Sequence, residues 1–154
     1  MSFFTDFGTT QKFRLGTRVK DVTGNEYIYL KGVASTVDGS WVTYDEDGVT
    51  ALVDTDVAAT LIGPVAIANA AVVASNYGWY LIFGSKTTAK AISGGAAADN
   101  ARVWATSTGG QVDDVAAADK QIVGAIFRSA EGAVTAGDAE VQINYPWIGV
   151  DEAA

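Results

Sequence analysis

The sequence predicts an all-β domain, an antiparallel β-sandwich or small β-barrel with an extended N-terminal arm. Three observations carry this. Short runs of aromatic and β-branched residues recur with period-two patterning. Glycine- and aspartate-bearing turn signals separate them at the spacing of a small antiparallel protein. No segment sustains the 3.6-residue period of an amphipathic helix. At 154 residues the chain is one domain by the length prior, with enough surface to bury a real core. We divide it into an arm, 1–20, and a single β domain, 21–154.

In order along the chain, the strand-like runs are Tyr27–Val33, Trp41–Tyr44, Tyr77–Phe83, Arg102–Thr106, Ile122–Phe127 and Ala139–Tyr145. The turns between them fall at Asp38-Gly39, Asp47-Gly48, Gly94-Gly95, Gly109-Gly110 and Gly137-Asp138. Ala96–Ala98 and Val115–Ala118 are candidates for single helical turns. Ala66–Ala74 is ambiguous, because an alanine-rich apolar run does not separate helix from strand. Laying Trp41 over Trp104 gives a possible internal repeat, about 33–84 and 96–146, at an offset of about 61–63 residues. Each half then runs from a tryptophan strand through a Gly turn, an acidic Val/Ala linker and an apolar run to a closing strand.

The two closing strands differ. In the second, Val141, Ile143 and Tyr145 alternate with Glu140, Gln142 and Asn144, which makes one dry face and one wet face. In the first, Tyr77, Trp79, Leu81 and Phe83 share one side while Tyr80 and Ile82 share the other, so neither side is polar. Such a strand is either a central layer or a subunit contact. Tyrosine and tryptophan favour the contact, which makes Tyr77, Trp79, Tyr80 and Ile82 candidate subunit-contact residues.

Charge is low and unevenly placed. Only 18% of residues are charged, and the net charge is −8. The first 40 residues carry one net positive charge and the rest nine net negative. The acidic balance argues against a nucleic-acid partner. In the arm, Lys12, Arg14, Arg18 and Lys20 are interleaved with Phe13, Leu15 and Val19. As a strand this segment shows a cationic face, which serves either to protect a sheet edge or to meet an acidic protein surface. In the second reading Phe3, Phe4 and Phe7 are apolar anchors of an arm that orders on binding and is separable from the β body. The N-terminus lacks the pattern of a signal peptide, and the longest apolar run, Leu61 to Ala74, is broken by Pro64 and Asn69 and is too short to span a membrane. We therefore expect a soluble protein made in a cytoplasm, with no membrane partner.

The residues offer little chemistry. There is no histidine and no cysteine, so the commonest general base, the triad base and thiolate or imidazole metal ligands are all missing. Asp45-Glu46-Asp47-Gly48 lacks the length and closing glutamate of a calcium loop and reads as a hairpin turn. Asp54-Thr55-Asp56 has aspartate where an aspartic-protease triplet needs glycine, and Asp113-Asp114, adjacent on a strand, point apart. The expectation is no enzyme activity, no catalytic residue, no metal and no cofactor. A carbohydrate- or receptor-binding module, with Trp79, Tyr80 or Trp147 stacking on sugars, is the alternative function class.

Taken in order, Tyr27–Val33, Trp41–Asp45, Gly63–Ala68, Tyr77–Tyr80 and Gly124–Arg128 resemble the head decoration, or cement, proteins of tailed bacteriophages over roughly residues 25–130. The resemblance implies a β-rich knob bound outside an icosahedral head at gaps between capsomers. It implies the major capsid protein as partner, a homo-oligomer (trimer more often than dimer), and no catalysis or cofactor. The location implied is the outer capsid surface of the virion. No family site residues transfer; the arm residues Phe3, Phe4, Phe7, Lys12, Arg14, Arg18 and Lys20 are capsid-contact candidates from charge placement alone.

Overall fold

The computed structural model describes residues 3–57, 62–94, 97–133 and 135–149. A 3-10 turn at Phe3–Thr5 precedes eleven strands: β1 (Phe7–Gly8), β2 (Arg18–Lys20), β3 (Glu26–Lys31), β4 (Trp41–Tyr44), β5 (Thr50–Leu52), β6 (Gly63–Ala68), β7 (Tyr77–Lys90), β8 (Arg102–Ala105), β9 (Val112–Asp113), β10 (Gln121–Phe127) and β11 (Asp138–Ile148). All belong to one antiparallel sheet, and no α-helix occurs among the described residues. The all-β expectation therefore holds. The ambiguous alanine run resolves into β6 followed by turns. Val115–Ala118 forms no helical turn; of the other candidate, Ala97 and Ala98 are not helical and Ala96 lies outside the described residues.

The sheet closes on itself twice. β3, β7, β6, β4 and β5 pair in that order, and a parallel bridge between Lys31 and Val49 ties β5 back to β3. The second half of β7, β11, β10, β8 and β9 repeat the scheme, closed by a parallel bridge between Ala91 and Val112. The two closures lie about 60 residues apart, as do Trp41, the first residue of β4, and Trp104, the third of β8. The repeating unit differs from the sequence alignment in where it starts. It includes β3, and the two units share β7, whose first half pairs with β3 and second half with β11.

This topology explains why β7 is apolar on both sides. One side, with Tyr80 and Ile82, faces the interior of the first ring beside Ile28, Leu30, Val42, Ala66 and Ala68. The other, with Trp79 and Leu81, faces the larger core that joins the two rings, beside Tyr29, Trp41, Ile67, Ile143 and Ile148. Each large side chain buried there is worth about 1.5–3 kcal/mol.

Candidate functional site

The Tyr77–Phe83 ribbon corrects a sequence expectation. Trp79 is 1% exposed, Tyr80 0% and Ile82 1%, and Tyr77 is half-buried. Trp79, Tyr80 and Ile82 are thus interior residues of one subunit and offer no contact surface. Tyr77 leans on the same core. The physical reason lies in the part of the chain read as a free arm. Phe3, Phe4 and Phe13 place their rings 5.2, 5.5 and 5.3 Å from the Trp79 ring, and Phe4 stacks on Tyr27 at 4.2 Å. The Asn69 amide donates to the Phe4 carbonyl at 2.7 Å, and the Lys12 amide donates to the Tyr29 hydroxyl at 3.1 Å. The apolar side chains of the arm seal the aromatic face of the sheet.

What the arm leaves outside is a mixed apolar and cationic surface. Phe3 is 48% exposed and Phe7 45%, whereas Phe4 is largely covered. Lys12, Arg14, Arg18 and Lys20 are all exposed. The Lys12 ammonium sits 2.6 Å from the Asp6 carboxylate, whose hydrogen bond and charge hold the lysine above its ordinary pKa. β2 stands at one end of the strand order and pairs only with β3 among the described residues, so Arg18 and Lys20 are basic residues of the kind that protect a sheet edge. Phe3, Phe4, Lys20, Asp21 and Val22 line a shallow groove at this end.

A second surface was not legible as such in the sequence. Between the rung joining Val123 to Trp147 and the rung joining Ala125 to Ile143, one residue of β10, Gly124, faces three of β11, Asn144 to Pro146. Gly124 has φ 84°, and a Cβ there would stand 2.7 Å from the Asn144 carbonyl oxygen. Opposite it Tyr145 has φ 43°, a left-handed conformation that costs a bulky side chain about 1–2 kcal/mol. The bulge reverses the alternation. Val141, Ile143 and Ile148 stay in the core, while Tyr145, expected on the dry face, is 48% exposed and Trp147 45%. Bulges commonly re-aim side chains in this way.

Tyr145 is held in place. Its hydroxyl donates a hydrogen bond to the Glu26 carboxylate, a group only 7% exposed at the start of β3, and its ring tilts against exposed Phe83 at 5.4 Å. The bond to Glu26, then burial and the carboxylate charge, raise the tyrosine pKa, and the Arg18 guanidinium opposes them. Beside the bulge lies a groove of about 300 Å³ lined by Gly124, Ala125, Ile126, Arg128, Gln142, Ile143 and Asn144. Arg128 crosses its rim, with Nε donating to the Gln142 Oε1 at 3.0 Å and its terminal nitrogen to the Asn100 Oδ1 at 2.5 Å.

The acidic motifs serve local turns. The Asp45 carboxylate accepts from the amides of Asp47 and Val49 at 3.0 and 2.9 Å, Asp54 from Asp56 at 2.9 Å, and Asp113 from Asp114 at 2.8 Å. Inside the first ring, burial pushes the Tyr80 hydroxyl up to about 12, tempered by the nearby Thr50 and Thr36 hydroxyls. Those two are committed elsewhere, donating at 2.7 Å to the Lys31 and Val33 carbonyls.

Fold and surface together define an all-β domain of two joined rings with aromatic residues exposed at two separate places. Compared with known proteins, the chain matches no family model, no curated sequence and no solved structure.

Proposed function

We propose that this chain is a structural capsid-decoration protein. It binds the outer surface of a tailed-phage head at gaps between capsomers, as a homo-oligomer with the major capsid protein as partner, and stabilises the shell. One observation carries the reading: in a chain of net charge −8, the folded arm carries exposed Phe3 and Phe7 and exposed Lys12, Arg14, Arg18 and Lys20, of which Arg18 and Lys20 lie on edge strand β2 and Phe3 shares a groove with Lys20. An apolar and cationic surface of this kind suits an acidic protein partner, with the aromatics as anchors and the charges steering encounter. Engagement of several capsid subunits at once multiplies modest contacts into firm attachment. The resemblance of the strand-and-turn words to cement proteins points the same way.

The arm is the lid of the Trp79 core, so residues 1–20 do not separate cleanly from the body, and point substitutions on its outer side are the informative perturbation. Replacing Lys12, Arg14, Arg18 and Lys20 by glutamine should weaken binding to undecorated heads and flatten its salt dependence. Unchanged binding and an unchanged salt slope would reduce these residues to edge protection.

A further inference from the structure

We infer that the outer face of the β10–β11 bulge is a saccharide-binding site, distinct from the Phe3 and Phe7 surface of the arm. The first observation is backbone strain at an exposed side chain. Within the bulge Tyr145 stands at φ 43°, a conformation left to glycine at Gly124 opposite it, and its hydroxyl is fixed on the buried Glu26 carboxylate. A strained residue that is also exposed points to a use for its side chain.

The second observation is what shares that face. Trp147 and Gln142 both lie opposite core neighbours, Ile148 and Val141, so both project outward on the side where Asn144 is also exposed. A flat indole therefore stands on the same face as a small groove whose rim offers amide donors and acceptors and an arginine already braced by Gln142 and Asn100. A pyranose needs this combination: an aromatic plane for its C–H face, and planar polar groups for adjacent hydroxyls. The groove, about 300 Å³, is at the small end of ligand sites, suited to one or two sugar rings rather than to a protein interface. A saccharide seated in the groove against Gln142, Asn144 and Arg128 extends along β11 onto exposed Trp147, which stands just beyond the groove's lining.

The test is an array of neutral, N-acetylated and uronic-acid-containing oligosaccharides probed with the full chain, followed by calorimetric titration of the best ligand. Binding is expected to fall at least tenfold in Trp147→Ala and in Gln142→Ala, to survive in Trp147→Phe, and to be unchanged in Phe7→Ala on the arm surface. Gln142 is exposed and paired only at the surface, so its variant keeps the test alive if Trp147→Ala unfolds. No saccharide binding by the wild type at millimolar ligand overturns the inference, as does binding that survives both alanine variants. Loss of head binding in those variants without any sugar binding would also overturn it, assigning the face to a protein partner.

Discussion

Replacing Trp79 by alanine separates an interior role from a contact role. The indole is 1% exposed and is in ring contact with Phe3, Phe4, Phe13 and Tyr29 at 5.1–5.5 Å. Truncating a fully buried tryptophan costs about 3–5 kcal/mol, set by how far the site can collapse. Here two of the four neighbouring rings, Phe3 and Phe4, belong to a surface segment that can follow the cavity inward, so a value near the middle, about 4 kcal/mol, is expected. Against a total stability of about 5–15 kcal/mol this is a large fraction. It corresponds to a fall in Tm of about 8–16 °C for a domain of this size. Urea unfolding followed by circular dichroism, alongside sedimentation of the folded variant at low temperature, reads both quantities. The account expects a large loss of stability with the assembly state kept. A variant within about 1 kcal/mol of wild type that had lost self-association would refute the reasoning and restore the ribbon as a subunit contact.

Deleting residues 1–13 removes Phe4 and Phe13 from the core lid, each worth about 1.5–3 kcal/mol, and should lower the urea midpoint sharply; an unchanged midpoint would show the arm to be an accessory. Gly124→Ala should cost about 1–3 kcal/mol by scanning calorimetry, because the new Cβ meets the Asn144 carbonyl and φ 84° is unfavourable for alanine. Tyr80 gives an alkaline signature. Its folded pKa, about 12, lies above the ordinary 10, so its contribution is complete below pH 10 and is lost as pH rises towards 12, about 3 kcal/mol in all. Denaturant midpoints from pH 9 to 11.5 should fall more steeply for wild type than for Tyr80→Phe, and equal slopes would contradict this.

Much of the fold could be read from period-two patterning because each strand packs at least one dry face. β4 coincides with its sequence run, β10 extends its run by one residue, Gln121, and β11 extends its run by four, Asp138 and Pro146–Ile148. β5 and β9 escaped notice because strands of three and two residues are too short to show a period. The role of Trp79 escaped for a different reason. A strand apolar on both faces is compatible with a subunit contact or with a second internal layer, and only the long-range return of Phe3, Phe4 and Phe13 decides between them. The exposure of Tyr145 depends on a slip of register, and alternation placed it inside. The local signals were Gly124 within a strand run and Pro146 immediately after the facing run, both marks of an interrupted ladder.

Co-sedimentation of the purified protein with expanded tailed-phage heads lacking their decoration protein, followed by heating of the pelleted particles, tests the proposed role most directly. The account predicts saturable binding at a fixed number of copies per head, weakened by salt, with decorated heads surviving temperatures that open bare ones. Protein that stays monomeric in the supernatant and leaves the heads as heat-sensitive as before would contradict it.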